Sequence, residues 1–103
     1  VGLMYPSDYG YAVLASSCER TTNLGDYDST ACAGNNWLKS DSQQWTLTPW
    51  SSYSNSTFHV DSFGNLDSSV SSNGSGARPS IYLKSNIVVL GGDGSRDFPY
   101  IIK

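Results

Sequence analysis

The stretch WTLTPWSSYSNSTFHVDSFGNLDSSV, Trp45 to Val70, decides the fold. QQWTLTP alternates, which predicts a strand with Trp45 and Leu47 on one face and Gln44, Thr46 and Thr48 on the other. TFHVD alternates again, with Phe58 and Val60 set against Thr57, His59 and Asp61. SFGN between them and the next run is a turn, with Gly64 and Asn65 as the residues that tolerate positive φ. LDSSV then returns as a third strand with Leu66 and Val70 inward.

Outward from this meander, SSNGSG is a second turn region and ARPSIYLKS reads as a strand with Ile81 and Leu83 on one face. IVVL is a continuous apolar run, the pattern of a strand covered on both faces. GGDGSRDFPY turns the chain and YIIK closes it as a short strand. On the N-terminal side, VGLMYP is a short strand stopped by Pro6. Ser7 and Asp8 are N-cap candidates for a helix over SDYGYAVLAS, which carries Tyr11, Leu14 and Ala15 at helical spacing and is kept short by Gly10. Cys18 to Ser40 has no sustained period and reads as a stapled loop with one turn of helix near Cys32. The fold class is α+β: one early helix, long loops and a small antiparallel sheet, in a single domain spanning residues 1–103.

The chain is 38% hydrophobic and 15% charged, with a formal net charge of −3, so it is a folding sequence with no cluster of cations. Nucleic acid and anionic membranes bind through clustered Lys and Arg, and neither fits as a partner. No segment has the roughly 20 apolar residues that span a bilayer. Cys18 and Cys32 are the only cysteines, and with a single histidine no Cys/His zinc site can be completed. The simplest reading is one disulfide, which implies export to an oxidising compartment; two buried thiols in a cytosolic protein is the alternative. The start at Val1 reads as a processed or truncated product of a longer precursor.

Several motifs occur in order: GLMYPSDYGYA, the cysteine pair with NNWL after the second, WTLTPWSS, F-x-V-D-x-x-G, GARPSIYL and GDGSRDFPY. Together they resemble a C-terminal domain of surface and pilin-like proteins of Gram-positive gut bacteria. The W-x-L-T-P, V-D-x-x-G and R-P elements also resemble the C-type-lectin-like fold, including its formylglycine-generating-enzyme-like branch. The resemblance implies a small twisted antiparallel sheet, a flanking helix and long loops. Full-length pilin-like members carry an apolar helix ahead of this domain.

Catalysis finds little support in the residues. Formylglycine-generating enzymes use reactive cysteines, and a structural bridge accounts for both cysteines here. His59, Asp61 and a serine would make a triad on paper, without the G-x-S-x-G elbow that presents such a nucleophile. The E-P-N, Q-P-D and W-N-D sugar signatures of calcium-dependent lectins are missing. Asp93 to Asp97, DGSRD, imitates the start of an EF-hand loop but has Phe98 where that loop needs glycine. We therefore expect no cofactor and no metal. Arg78, before Pro79, reads as a half-buried arginine paired inside the sheet, with a ligand clamp as the alternative.

The aromatics are the remaining signal. Trp45 and Phe58 belong to the inward faces, and Trp37 is expected to pack beside the stapled loop. Trp50, Tyr53 and Phe63 fall at strand ends and turns among Ser and Asn, a mixture typical of recognition surfaces. With Asn55 and a solvated His59 they form the expected ligand-binding set. The expectation is a non-catalytic extracellular domain for binding or adhesion at the cell surface, with an unknown protein or glycan ligand. The alternative is a structural subunit of a pilus-like or surface filament, in which the same loops meet neighbouring copies.

Overall fold

A computed structural model describes residues 1–103 apart from Leu14, Ala15, Arg20, Thr30 and Arg96, and apart from the side chain of Ser29. The first helix, α1, spans Pro6–Tyr11. Proline at its first position has no N–H to leave unpaired, and Asp8 accepts a hydrogen bond from the N–H of Tyr5 at 2.8 Å. The cap is thus Tyr5 rather than Ser7 or Asp8, because Asp8 serves from the first turn. Leu14 and Ala15, placed by their spacing on this helix, lie outside the described residues. A 3-10 segment follows at Leu24–Ser29 and one turn of helix, α2, at Ala31–Gly34. The Cys18–Cys32 disulfide is formed, with its Cα atoms 5.0 Å apart.

Strands β1 (Gln44–Pro49), β2 (Ser56–Val60) and β3 (Leu66–Val70) form an antiparallel sheet in the order β1-β2-β3. A separate two-stranded sheet joins β4 (Val89–Gly91) to β5 (Ile101–Ile102). The chain is α+β, as the sequence implies.

The register sets which face is inside. Gln44 pairs with Val60 and Val60 with Leu66, so these three share a face; Trp45 pairs with His59 and His59 with Asp67 on the other. The first face meets the helical layer, where Met4, Tyr9, Ala12, Val13, Tyr27, Cys32, Ala33 and Leu38 pack with Val60 as one core. The inward residues of β1 are therefore Gln44 and Thr46, not Trp45 and Leu47. Thr46 is accommodated because its hydroxyl donates to the carbonyl of Phe58 at 2.8 Å. Alternation fixes the period of a strand but not its phase, and a one-residue slip exchanges its faces. Val60 is inward as read, Leu66 packs on the core, and Val70 is exposed.

The ends depart further from expectation. The N-terminal segment is not a strand but runs between two partners: Gly2 pairs with Ser80, and the carbonyl of Met4 accepts from the N–H of Leu47 at 2.9 Å. ARPSIYLKS forms one isolated bridge, at Ser80, rather than a strand, with a second bridge at Gly76 just before it, and Ile81 and Leu83 are exposed. Val88, Val89 and Leu90 are all more than half exposed, so the IVVL run is not covered on both faces.

Among the described residues no helix is long and apolar enough to cross a membrane.

Candidate functional site

The structure divides the five expected ligand residues among three places. Trp50 and Tyr53 stand together on the β1–β2 turn, ring centroids 4.8 Å apart and planes 45° to each other. That turn is closed by hydrogen bonds from Trp50 N–H to the Ser56 carbonyl and from Ser56 N–H to the Tyr53 carbonyl. Asn55 is exposed on the same turn, and its carbonyl accepts from Ser71 N–H at 2.8 Å. Phe63 is 69% exposed but sits on the β2–β3 turn. The two turns are at opposite ends of β2, roughly 15 Å apart for a five-residue strand. His59 belongs to neither: it is 4% exposed and packs edge-on to Trp45 at 5.8 Å. The expected solvated histidine is therefore a sheet residue, covered by the tryptophan that β1 turns to this face.

The β2–β3 turn is rigid. One carboxylate oxygen of Asp61 accepts from the N–H groups of Phe63, Gly64 and Asn65 at 2.8–2.9 Å. Gly64 takes φ +100°, whereas Asn65 does not enter the positive region. The Gly64 carbonyl accepts from the Tyr9 hydroxyl at 2.7 Å, and Asn65 accepts from Asp28 N–H at 2.7 Å, tying the turn to the helical layer. Burial pushes the Tyr9 hydroxyl above its ordinary pKa, helped by Tyr27 and Asp61 nearby.

A concave aromatic surface lies elsewhere. A groove of about 610 Å³ runs between the N-terminal segment, α1 and the 80–82 segment, with Tyr5, Tyr11, Trp37, Leu47 and Tyr82 in its walls and Asp8 at its edge. Trp37 is 66% exposed here rather than packed beside the disulfide. Its N–H donates to the Ala12 carbonyl, and Asn36, buried beside it, bonds the Tyr9 carbonyl through its side-chain amide at 2.7 Å. The backbone of the loop thus faces the core and the indole faces out. Tyr5 and Tyr11 bracket α1, and Leu47 reaches the groove because β1 has the phase described above. Apart from Leu47 these residues lie outside the alternating stretch, and their convergence depends on the pairing of residue 2 with residue 80. No local sequence signal separates Trp37 and Tyr82 from the other aromatics that lie off the predicted inward faces.

Asp61 is committed to the turn, and Nδ1 of His59 has no protein hydrogen-bond partner among the described residues. Arg78 is half-buried and donates to the Leu38 carbonyl at 3.0 Å. In the Asp93–Asp97 loop, the Asp93 carboxylate accepts from Ser95 N–H, and its hydrogen bonds with Ser95 hold it below the usual aspartate range. No group of three or more potential metal ligands occurs among the described residues.

No family model, no curated protein and no solved structure matches this chain.

Proposed function

We propose that this chain is a non-catalytic recognition domain displayed outside the cell, with the C-type-lectin-like architecture and pilin-like surface setting that its motifs resemble. The observation that carries the reading is the aromatic groove. Concave surfaces lined by rigid apolar rings, with few polar groups to orient the ligand, are the usual form of a binding site. Four exposed rings beside the Asp8 carboxylate suit stacking on sugar faces or on apolar side chains of an extended peptide. The Cys18–Cys32 bridge is compatible with an oxidising, extracellular location. The non-catalytic reading rests on the burial of the only histidine and the engagement of both cysteines in the disulfide.

Screening the chain against glycan arrays and host-matrix proteins tests this. We expect a ligand whose affinity falls at least about tenfold in Trp37→Ala and in Tyr11→Ala, the loss of one central aromatic contact. Loss in Trp50→Ala and Tyr53→Ala instead would move the site to the β1–β2 turn. Silence across broad panels would count against recognition altogether. A second reading, a structural subunit of a surface filament, is favoured by one feature, the exposed apolar β4–β5 hairpin; filaments in electron micrographs would support it.

A further inference from the structure

We infer that the β4–β5 hairpin is a self-association arm, which pairs with the same arm of a second copy of this chain and leaves the aromatic groove free. The hairpin itself is well formed. Val88 and Lys103 exchange two backbone hydrogen bonds of 3.0 Å, and Val89 pairs with Ile102. At the tip, the N–H groups of Asp93 and Gly94 both donate to the Phe98 carbonyl. Gly92 takes φ +87°, where a Cβ would run into the carbonyl of Pro99. The local sequence thus specifies this turn.

What the hairpin lacks is a core. Val88, Val89, Leu90, Tyr100 and Ile101 are each more than half exposed, Ile102 is 44% exposed, and Phe98 adds a ring at the tip. Since consecutive residues point to opposite faces, neither face of the hairpin is packed. A lone two-stranded hairpin is marginal in water, and stability calls for further strands or a packed apolar face. The molecule is also less compact than usual: the radius of gyration is 14.8 Å, against about 13 Å for a compact chain of this length.

Area and charge both fit a second copy. The seven arm residues present roughly 700 Å² of largely apolar surface, at on the order of 100 Å² each, close to the ~800 Å² per partner of a stable interface. A monomer's largest apolar patch is usually about 300–600 Å². From Ile87 to Lys103 the chain has two acidic residues, Asp93 and Asp97, and two basic ones, Arg96 and Lys103, so the arm is neutral on a molecule of net charge −3. Two such arms can meet without repulsion, while the acidic bodies remain apart. In a two-fold arrangement the arms clasp each other with their apolar side chains in contact, one patch meeting itself. This inference is independent of what the groove binds.

Sedimentation velocity on the 103-residue chain across a wide concentration range tests it. We expect a concentration-dependent dimer that Leu90→Asp and Ile101→Asp each abolish. Among the described residues no arm residue belongs to the buried core, so both variants should keep the parent's circular dichroism and melting temperature. A mixture of Leu90→Glu and Leu90→Lys chains should restore a heterodimer. A chain monomeric at every concentration, or a dimer that survives both aspartate variants, would overturn the inference. So would a dimer dissolved by Trp37→Ala with the arm intact, because the arm would then be seated in the groove.

Discussion

The hydroxyl of Tyr9 donates to the carbonyl of Gly64, 2.7 Å away and 55 residues along the chain. It joins the first helix to the β2–β3 turn and is fully buried. Tyr9→Phe keeps the ring, its 5.5 Å contact with Tyr27 and the buried area, but leaves a buried carbonyl unpaired. We expect a loss of about 1–3 kcal/mol, read from urea denaturation midpoints at unchanged m-value.

The same hydroxyl predicts an alkaline limit. Its pKa is raised by burial, while in the unfolded chain it titrates near about 10. Below that pH both states hold the proton and the contribution to stability is complete. Above it the unfolded chain releases the proton and the folded one retains it, so rising pH favours unfolding. Denaturation midpoints should therefore fall above pH ~10, and less steeply in Tyr9→Phe than in the parent. An equal slope in both would remove Tyr9 as the cause.

Gly64→Ala should be costly for two separate reasons. The backbone is at φ +100°, and the added methyl would meet the Ala33 Cβ and the Tyr9 oxygen at 3.0 Å each. We expect about 2–4 kcal/mol of destabilisation. Gly34→Ala is the control, because nothing lies within 4 Å of its Cβ position, and its melting temperature should stay near the parent's.

Asp61→Ala removes a carboxylate oxygen that accepts from three N–H groups, though Gly64 N–H keeps its bond to the residue-61 carbonyl, and we expect a loss of about 1.5–3 kcal/mol. Asp61→Asn, which keeps the acceptor oxygen without its charge, should recover a good part. Hydrogen exchange of the Phe63, Gly64 and Asn65 amides reports the turn directly. Protection unchanged in the alanine variant would be inconsistent with the carboxylate holding it.

Reducing the disulfide releases a loop of about 15 residues, worth roughly 3 kcal/mol in the chain-entropy account. The oxidised chain should weigh two hydrogens less than the reduced one. Its thermal transition should drop on adding reductant, and in Cys18→Ser/Cys32→Ser without reductant.

The legible parts of this chain are those that local chemistry dictates. Alternation located all three strands of the meander, FGN placed the turn at Gly64, and the cysteine count gave the bridge. The phase of β1 was not legible, since Trp45 and Leu47 out-rank Gln44 and Thr46 in hydrophobicity and only the register with β2 shows otherwise. His59 reads as solvated in the sequence because its burial depends on Trp45 turning to the same face. Trp37 and Tyr82 escaped because their groove is assembled by long-range pairings with no sequence pattern. IVVL carried the composition of a buried strand, and the structure leaves it uncovered; composition reports a preference for burial, not the partner that provides it.

The threading of residues 2–4 between Ser80 and Leu47 has a kinetic consequence. These pairings join the beginning of the chain to its middle and to residue 80, so they carry the largest loop-closure entropy of the body. The β2–β3 hairpin, closed by a five-residue connection and its own Asp61, needs no such closure and is expected to form first. During synthesis the N-terminal segment would then wait for Ser80 to emerge before its backbone groups were satisfied. Pulse-labelled hydrogen exchange should show the amide of Asp61, which donates to the Asn65 carbonyl within this hairpin, protected ahead of that of Gly2; the reverse order would refute this sequence of events.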